Sequence, residues 1–172
     1  MGLYKIIYII NTIRYLKISQ IFFQVLFRFK TFFKFNNSYS KSYSSYKKLN
    51  WIDIISNDDS FLGDLSFTFI NLRYNFSNKI DWNFKHYGKL WLYNLSYFEY
   101  LNQKNISKKD GISLIKSFID SYNDLKDAKE SYPTSLRIIN IIKFISKFNI
   151  NDNEIMELVR EDFNKLHNNL EY

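Results

Sequence analysis

The chain has 172 residues, of which 46% are hydrophobic, enough for one domain with a buried core and too apolar for a disordered tail. Its formal net charge of +7 favours an anionic partner, whether acidic polysaccharide, nucleic acid or anionic lipid, without choosing among them. With no Cys, two His and four Gly, a disulfide framework, a thiolate nucleophile, a His-based metal site and a Gly-rich phosphate loop are set aside, and no cofactor or metal is expected.

Residues 3–30 read as helix in two pieces, with Ser19 as the cap of the second and Ile21, Phe22, Val25, Leu26 and Phe29 as its apolar stripe. The uncharged runs Ile6–Ile13 and Ile18–Phe27 fall short of the roughly 20 residues a spanning helix needs. No small-residue cleavage site follows, so neither a transmembrane segment nor a signal peptide is expected. The expectation is a helix packed on its own domain, the alternative an amphipathic helix lying on a membrane. Residues 36–47, rich in Asn, Ser, Tyr and Lys, read as a surface loop, and Trp51–Ile55 as a short apolar piece of open type. Between 66 and 82 the β-formers alternate, and Ser77-Asn78 is a turn signal before Lys79–Trp82, so a small hairpin is expected.

From residue 88 the pattern is helical. Leu90, Tyr93, Asn94, Tyr97, Phe98 and Leu101 share one face by spacing. Ser107 with Asp110 makes a start signal for a helix carrying Ile112, Ile115, Phe118, Ile119 and Tyr122. Pro133 separates it from the next, for which Thr134 or Ser135 is the expected cap. Asn151 with Glu154 opens the last helix, whose stripe is Ile155, Leu158, Val159, Phe163, Leu166 and Leu170. That stripe runs on without a stop signal, which fits either an ordinary frayed C-terminal helix or a helix that continues into a further region.

Four segments carry a resemblance. They are Asn11-Thr12-Ile13-Arg14-Tyr15-Leu16-Lys17 with Gln20; Ile80-Asp81-Trp82-Asn83; Trp91-Leu92-Tyr93-Asn94-Leu95-Ser96-Tyr97-Phe98; and Tyr132-Pro133-Thr134-Ser135-Leu136-Arg137 with Asn140 and Lys143. In order and separation they resemble the N-terminal domain of heparinase II/III-type proteins: an opening N-T-x-R-Y-L-K-x-x-Q, an I-D-W-N strand, a W-x-Y-N-L-x-Y-F helix and a Y-P-x-S-x-R-x-x-N-W-I-K helix. The closing Asn169–Tyr172 resembles the approach to a further family segment. Residues 1–172 as a whole are thus similar to part of that domain. The sequence departs from the pattern at Ser96, where the family often has His or Asn, and at Ile141, where it has Trp. Each change removes a side chain suited to holding sugar.

The resemblance implies a mainly α fold: an incomplete (α/α) toroid of antiparallel helix pairs with a small β-hairpin near residues 66–82. It implies carbon–oxygen lyase chemistry on acidic, uronate-containing polysaccharide. In that β-elimination one group neutralises the uronate carboxylate, one accepts the neighbouring proton and one protonates the leaving oxygen. In the family these roles fall to Asn, Tyr and His side chains beyond the region matched here, so no catalytic residue is carried over and the chain alone is expected not to cleave. A second chain or a C-terminal region is the expected completion of the toroid. The family is often periplasmic or attached to the cell surface, and the sequence offers no export signal of its own.

The candidate substrate-binding residues are Tyr93, Asn94, Tyr97, Tyr132, Arg137 and Asn140. Tyrosine faces stack on the apolar faces of sugars, but aromatics at helical spacing equally fill cores. Arg137 suits a substrate carboxylate or an interhelical salt bridge. Asn94 and Asn140 either cross-link helices or reach the substrate. His86 reads as surface or structural. The alternative function is a basic, aromatic-rich module for nucleic acid or a membrane surface. Its basic residues occur in every segment, and no nucleic-acid-binding motif is present, so nucleic acid ranks below glycan.

Overall fold

The computed structural model describes residues 11–12, 14–32 and 59–168. The expected loop at 36–47 and the apolar piece Trp51–Ile55 lie outside the described residues. The chain divides into two compact units, residues 1–39 with 170–172, and residues 40–169.

In the first unit, helix α1 spans Ile18–Phe32. The Lys17 amide donates to the Gln20 side chain (2.9 Å), which satisfies one of the otherwise orphaned donors of a helix start. Ser19 therefore lies inside the first turn and is not the cap. Within this helix Phe22, Val25, Leu26 and Phe29 are exposed. No described helix is long and apolar enough to cross a membrane.

The second unit is mainly helical with a two-stranded antiparallel sheet. Strands β1 (Ser66–Phe69) and β2 (Leu72–Asn75) pair in register from Ser66 with Asn75 to Phe69 with Leu72. The turn is Ile70-Asn71, both with positive φ (47° and 61°), as a two-residue hairpin turn matched to strand twist requires. This corrects the expected turn at Ser77-Asn78: the hairpin closes earlier, and Lys79–Trp82 is not a strand. The inward face of β1 supplies Phe67 and Phe69, both buried.

Helix α2 (Lys89–Tyr97) ends where Phe98 adopts the left-handed conformation (φ 57°), and a 3-10 turn Glu99–Asn102 follows. Its buried arc is Trp91, Leu92, Leu95 and Ser96, with Tyr97 at the edge. Of the face read from spacing, Tyr97, Phe98 and Leu101 are buried, Tyr93 and Asn94 are half-buried and Leu90 is exposed. Six of the nine positions of α2 are apolar or aromatic, so its polar side is only weakly marked.

Helix α3 (Lys108–Asp120) starts as expected: Ser107 Oγ accepts from the Asp110 amide (3.0 Å) and donates to its carboxylate (2.6 Å). At Gly111 the Phe144 ring lies where a side chain would begin, 2.1 Å from an ideal Cβ position, so α3 admits that ring only because the side chain is missing. Helix α4 runs Ser131–Lys147 and α5 Asn153–Asn168. Pro133 lies within the first turn of α4 and does not precede it; its missing N–H is one the helix start leaves unpaired anyway. The cap position is Glu130, not Thr134 or Ser135. At α5 the cap is Asp152, one residue after the expected Asn151, accepting from the amides of Glu154 (3.0 Å) and Ile155 (3.2 Å). Helix α4 packs on both α2 and α5, and α3 on α5, around one core of Trp82, Trp91, Tyr100, Phe98, Phe118 and Phe144.

Candidate functional site

Helices α2 and α4 place the candidate residues on two opposite faces. On the inner face Arg137 is fully buried. Its Nε and Nη2 donate in fork fashion to the Asp162 carboxylate (2.7 and 3.0 Å), Nη1 donates to the Ala128 carbonyl (2.9 Å), and Nη2 also meets Thr134 Oγ1 (3.2 Å). The guanidinium also lies over the Phe118 ring, 4.6 Å from its centroid. Asp162 accepts a further hydrogen bond from the Tyr122 hydroxyl (2.9 Å). Burial, and then the adjacent Asp162 charge, push the Tyr122 hydroxyl well above its ordinary pKa. Arg137 has its donors committed within the protein and meets no solvent, so it does not serve a substrate carboxylate. It joins α4, α5 and the turn before α4.

Asn140 is also structural. Its amide donates to the Tyr97 carbonyl (2.9 Å) and its oxygen accepts from the Asn102 amide (3.1 Å), which ties α4 to the end of α2. Asn94 turns back on its own helix and donates to the Leu90 carbonyl (2.8 Å). Of the six candidates, Arg137 and Asn140 thus leave the binding set, and Asn94 is tied to its own helix.

The remaining three gather on the outer face. The Tyr93 and Tyr97 ring centroids are 6.2 Å apart, and Tyr132 stands edge-on to Tyr97 at 5.7 Å and 84°. Tyr97 is nearly covered, whereas Tyr132 is 63% exposed. Beside them Lys89 Nζ pairs with the Glu130 carboxylate (2.5 Å) and lies 5.3 Å from the Tyr93 ring centroid, and the Tyr93 hydroxyl donates to the same carboxylate. The hydrogen bonds from Lys89 and Tyr93 hold the Glu130 carboxyl below the usual range. Burial, then the Glu130 hydrogen bond, raise Tyr93, and burial pushes Tyr97 up to about 12. Tyr93 and Tyr97 are therefore neutral hydroxyls at neutral pH, and Tyr132 presents an open ring face.

Lys89 and Glu130 belong to this face and were not singled out by spacing. Their separation of 41 residues hides the pair. Asp162 had a plainer signal: an acidic residue within the stripe Ile155, Leu158, Val159 and Leu166, which a buried partner has to explain. His86 is exposed beside Phe84 and Tyr87. Among the described residues no group of three or more His, Asp or Glu is placed to hold a metal ion. The outer face offers stacking surface and hydroxyls, with one cation already balanced by one carboxylate.

No protein-family model, curated protein or solved structure matches the chain.

Proposed function

We propose that this chain is a helical domain of a heparinase II/III-type polysaccharide lyase, one that holds acidic glycan on the Tyr93–Tyr97–Tyr132 face and does not cleave it alone. The observation that carries the reading is the outward gathering of three tyrosines taken from two of the matching motifs. The same motifs send Trp91, Arg137 and Asn140 inward, where Trp91 ties α2 to β2, Arg137 ties α4 to α5 and Asn140 ties α4 to the end of α2. Such a division of labour suits a binding scaffold: one side of each motif fixes the helices, and the other side presents rings at spacings on the scale of sugar units. In this reading the helix pairs belong to an (α/α) toroid completed by a C-terminal region or a second chain, and the elimination chemistry lies there. The expected setting is periplasmic or cell-surface.

The test is affinity electrophoresis of the full chain through gels containing uronate polysaccharides, with the absorbance of unsaturated uronate product followed in parallel. Retardation that is lost in Tyr97→Ala/Tyr132→Ala, with no absorbance rise, supports the proposal. Turnover by the chain alone overturns its non-catalytic half, and absence of retardation on every acidic glycan overturns the binding half. Tight single-strand nucleic-acid binding that weakens steeply with salt, without glycan binding, would establish the nucleic-acid alternative instead.

A further inference from the structure

The net charge is not shared along the chain. Residues 1–52 contain nine Lys and Arg and no Asp or Glu, whereas residues 53–172 contain 15 basic and 17 acidic residues. The whole positive excess therefore belongs to the part that includes α1. On α1, at about 100° per residue, Ile18, Ile21, Phe22, Val25, Leu26 and Phe29 form one continuous apolar arc, with Arg28 at its border and Gln20 and Gln24 opposite. Ile18 is 86% exposed, and Phe22, Val25 and Leu26 are each about half exposed. Phe23, next to the arc, is exposed as well and meets Phe22 edge-on at 5.9 Å. Arg14 and Lys17, just before the helix, are exposed.

We infer that α1 is an interfacial helix that lays this arc into the surface of an anionic lipid bilayer. Three features select lipid. First, an aliphatic and aromatic arc gains by leaving water for acyl chains and gains nothing from phosphates or base edges, so a nucleic acid would use the charge and waste the arc. Second, the basic residues have no acidic residue among them over 52 positions. A partner protein with paired charges calls for both signs in register, while a diffuse negative surface calls for one sign only. Third, α1 is amphipathic, with Gln20 and Gln24 opposite the arc, which suits a helix lying along an interface. The inference is independent of the glycan reading, because it uses no residue of the tyrosine face.

The test is flotation of the full chain with vesicles of phosphatidylcholine alone and of phosphatidylcholine mixed with phosphatidylglycerol. The wild type is expected to float with the anionic vesicles at low salt, less as salt rises, and poorly with phosphatidylcholine alone. Phe22→Ser/Leu26→Ser is expected to lower partitioning by about tenfold or more, from the loss of two buried apolar side chains. Arg14→Glu/Lys17→Glu is expected to weaken binding to the anionic vesicles alone by about tenfold or more. Unchanged circular dichroism and thermal midpoints in both variants establish that folding is intact. Three results overturn the inference: no flotation of the wild type with anionic vesicles, equal flotation of wild type and Phe22→Ser/Leu26→Ser, or release by single-stranded oligonucleotide at concentrations below those of the lipid. A stable oligomer that does not float, and that Phe22→Ser/Leu26→Ser converts to monomer, would assign the arc to a second copy of the chain.

Discussion

The inner and outer faces of α2 and α4 use the same residue types to opposite ends. Inside, Trp91 donates its indole N–H to the Leu72 carbonyl (3.0 Å), and Arg137 is closed around Asp162; every polar group named there is spent on the protein itself. Outside, Tyr93, Tyr97 and Tyr132 approach one another with Tyr132 largely in solvent. A motif that alternates between the faces cannot be assigned to function or to structure as a block. Burial divides it residue by residue: Arg137 and Asn140 hold the helices, and Tyr132 stays open to solvent beside Tyr97.

The largest effect that would sharpen this contrast is at Asp162. Asp162→Ala leaves a buried guanidinium without its counter-charge and removes the acceptor of Tyr122, so the expected loss is about 3–5 kcal/mol in denaturant unfolding. Arg137→Met/Asp162→Leu should recover most of it, because the cost lies in the stranded charge. A loss below about 1 kcal/mol for the single variant would mean that the inner face is not closed. A smaller effect is expected at Gly111. An added methyl meets the fully buried Phe144 ring, and overpacking of about 1–3 kcal/mol outweighs the ~1 kcal/mol gain in helix propensity. Relief of the defect by Phe144→Leu would assign it to that contact.

The helices from 88 onward were legible because their apolar positions repeat with the helical period, and α3 began where Ser107 and Asp110 indicated. What was not legible has identifiable causes. The inward side of α2 is only weakly marked in the sequence, because six of the eight residues from Leu90 to Tyr97 are apolar or aromatic and the polar Ser96 is itself buried. The hairpin turn was misplaced because Ile70-Asn71 lacks the Gly that usually marks positive φ, while Ser77-Asn78 looks like a turn and is irregular chain. The position of Arg137 was open between substrate and salt bridge until Asp162, 25 residues away, closed the choice. The outer face was half legible: its three tyrosines were among the candidates, but Lys89 and Glu130, which set its electrostatics, meet only through the fold.

The covered hydroxyls offer a pH test of the same contrast. Burial raises Tyr97 to about 12 and holds Tyr100 and Tyr122 well above the ordinary value. In the unfolded chain these hydroxyls ionise near 10, so above that pH the unfolded state binds fewer protons than the folded one. The stability they contribute is fully present below about 10 and is lost as pH rises towards the folded values. Urea midpoints should therefore fall from about pH 10 upward, with a late step in tyrosinate absorbance that coincides with unfolding. Tyr97→Phe should shallow that fall. A flat profile between about 10 and 12 would show that these hydroxyls are not desolvated.

The smallest effect on stability is also the most informative for function. Tyr132 is 63% exposed and touches Tyr97 only edge-on. Tyr132→Ala should change folding stability by no more than about 0.5 kcal/mol, as expected for a surface position. On the proposed reading it should still weaken binding to uronate polysaccharide by about threefold to tenfold, the scale of one lost aromatic contact. Tyr132→Phe keeps the ring and should keep most of the affinity, so loss in both variants would mean that the hydroxyl, and not the ring face, makes the contact. Unchanged affinity in Tyr132→Ala, beside unchanged stability, would remove the outermost ring from the binding face and leave only the more covered Tyr93 and Tyr97. A face with so little open ring surface could not hold a polysaccharide chain by stacking, and the distinction between inner and outer tyrosines would then be one of solvation alone.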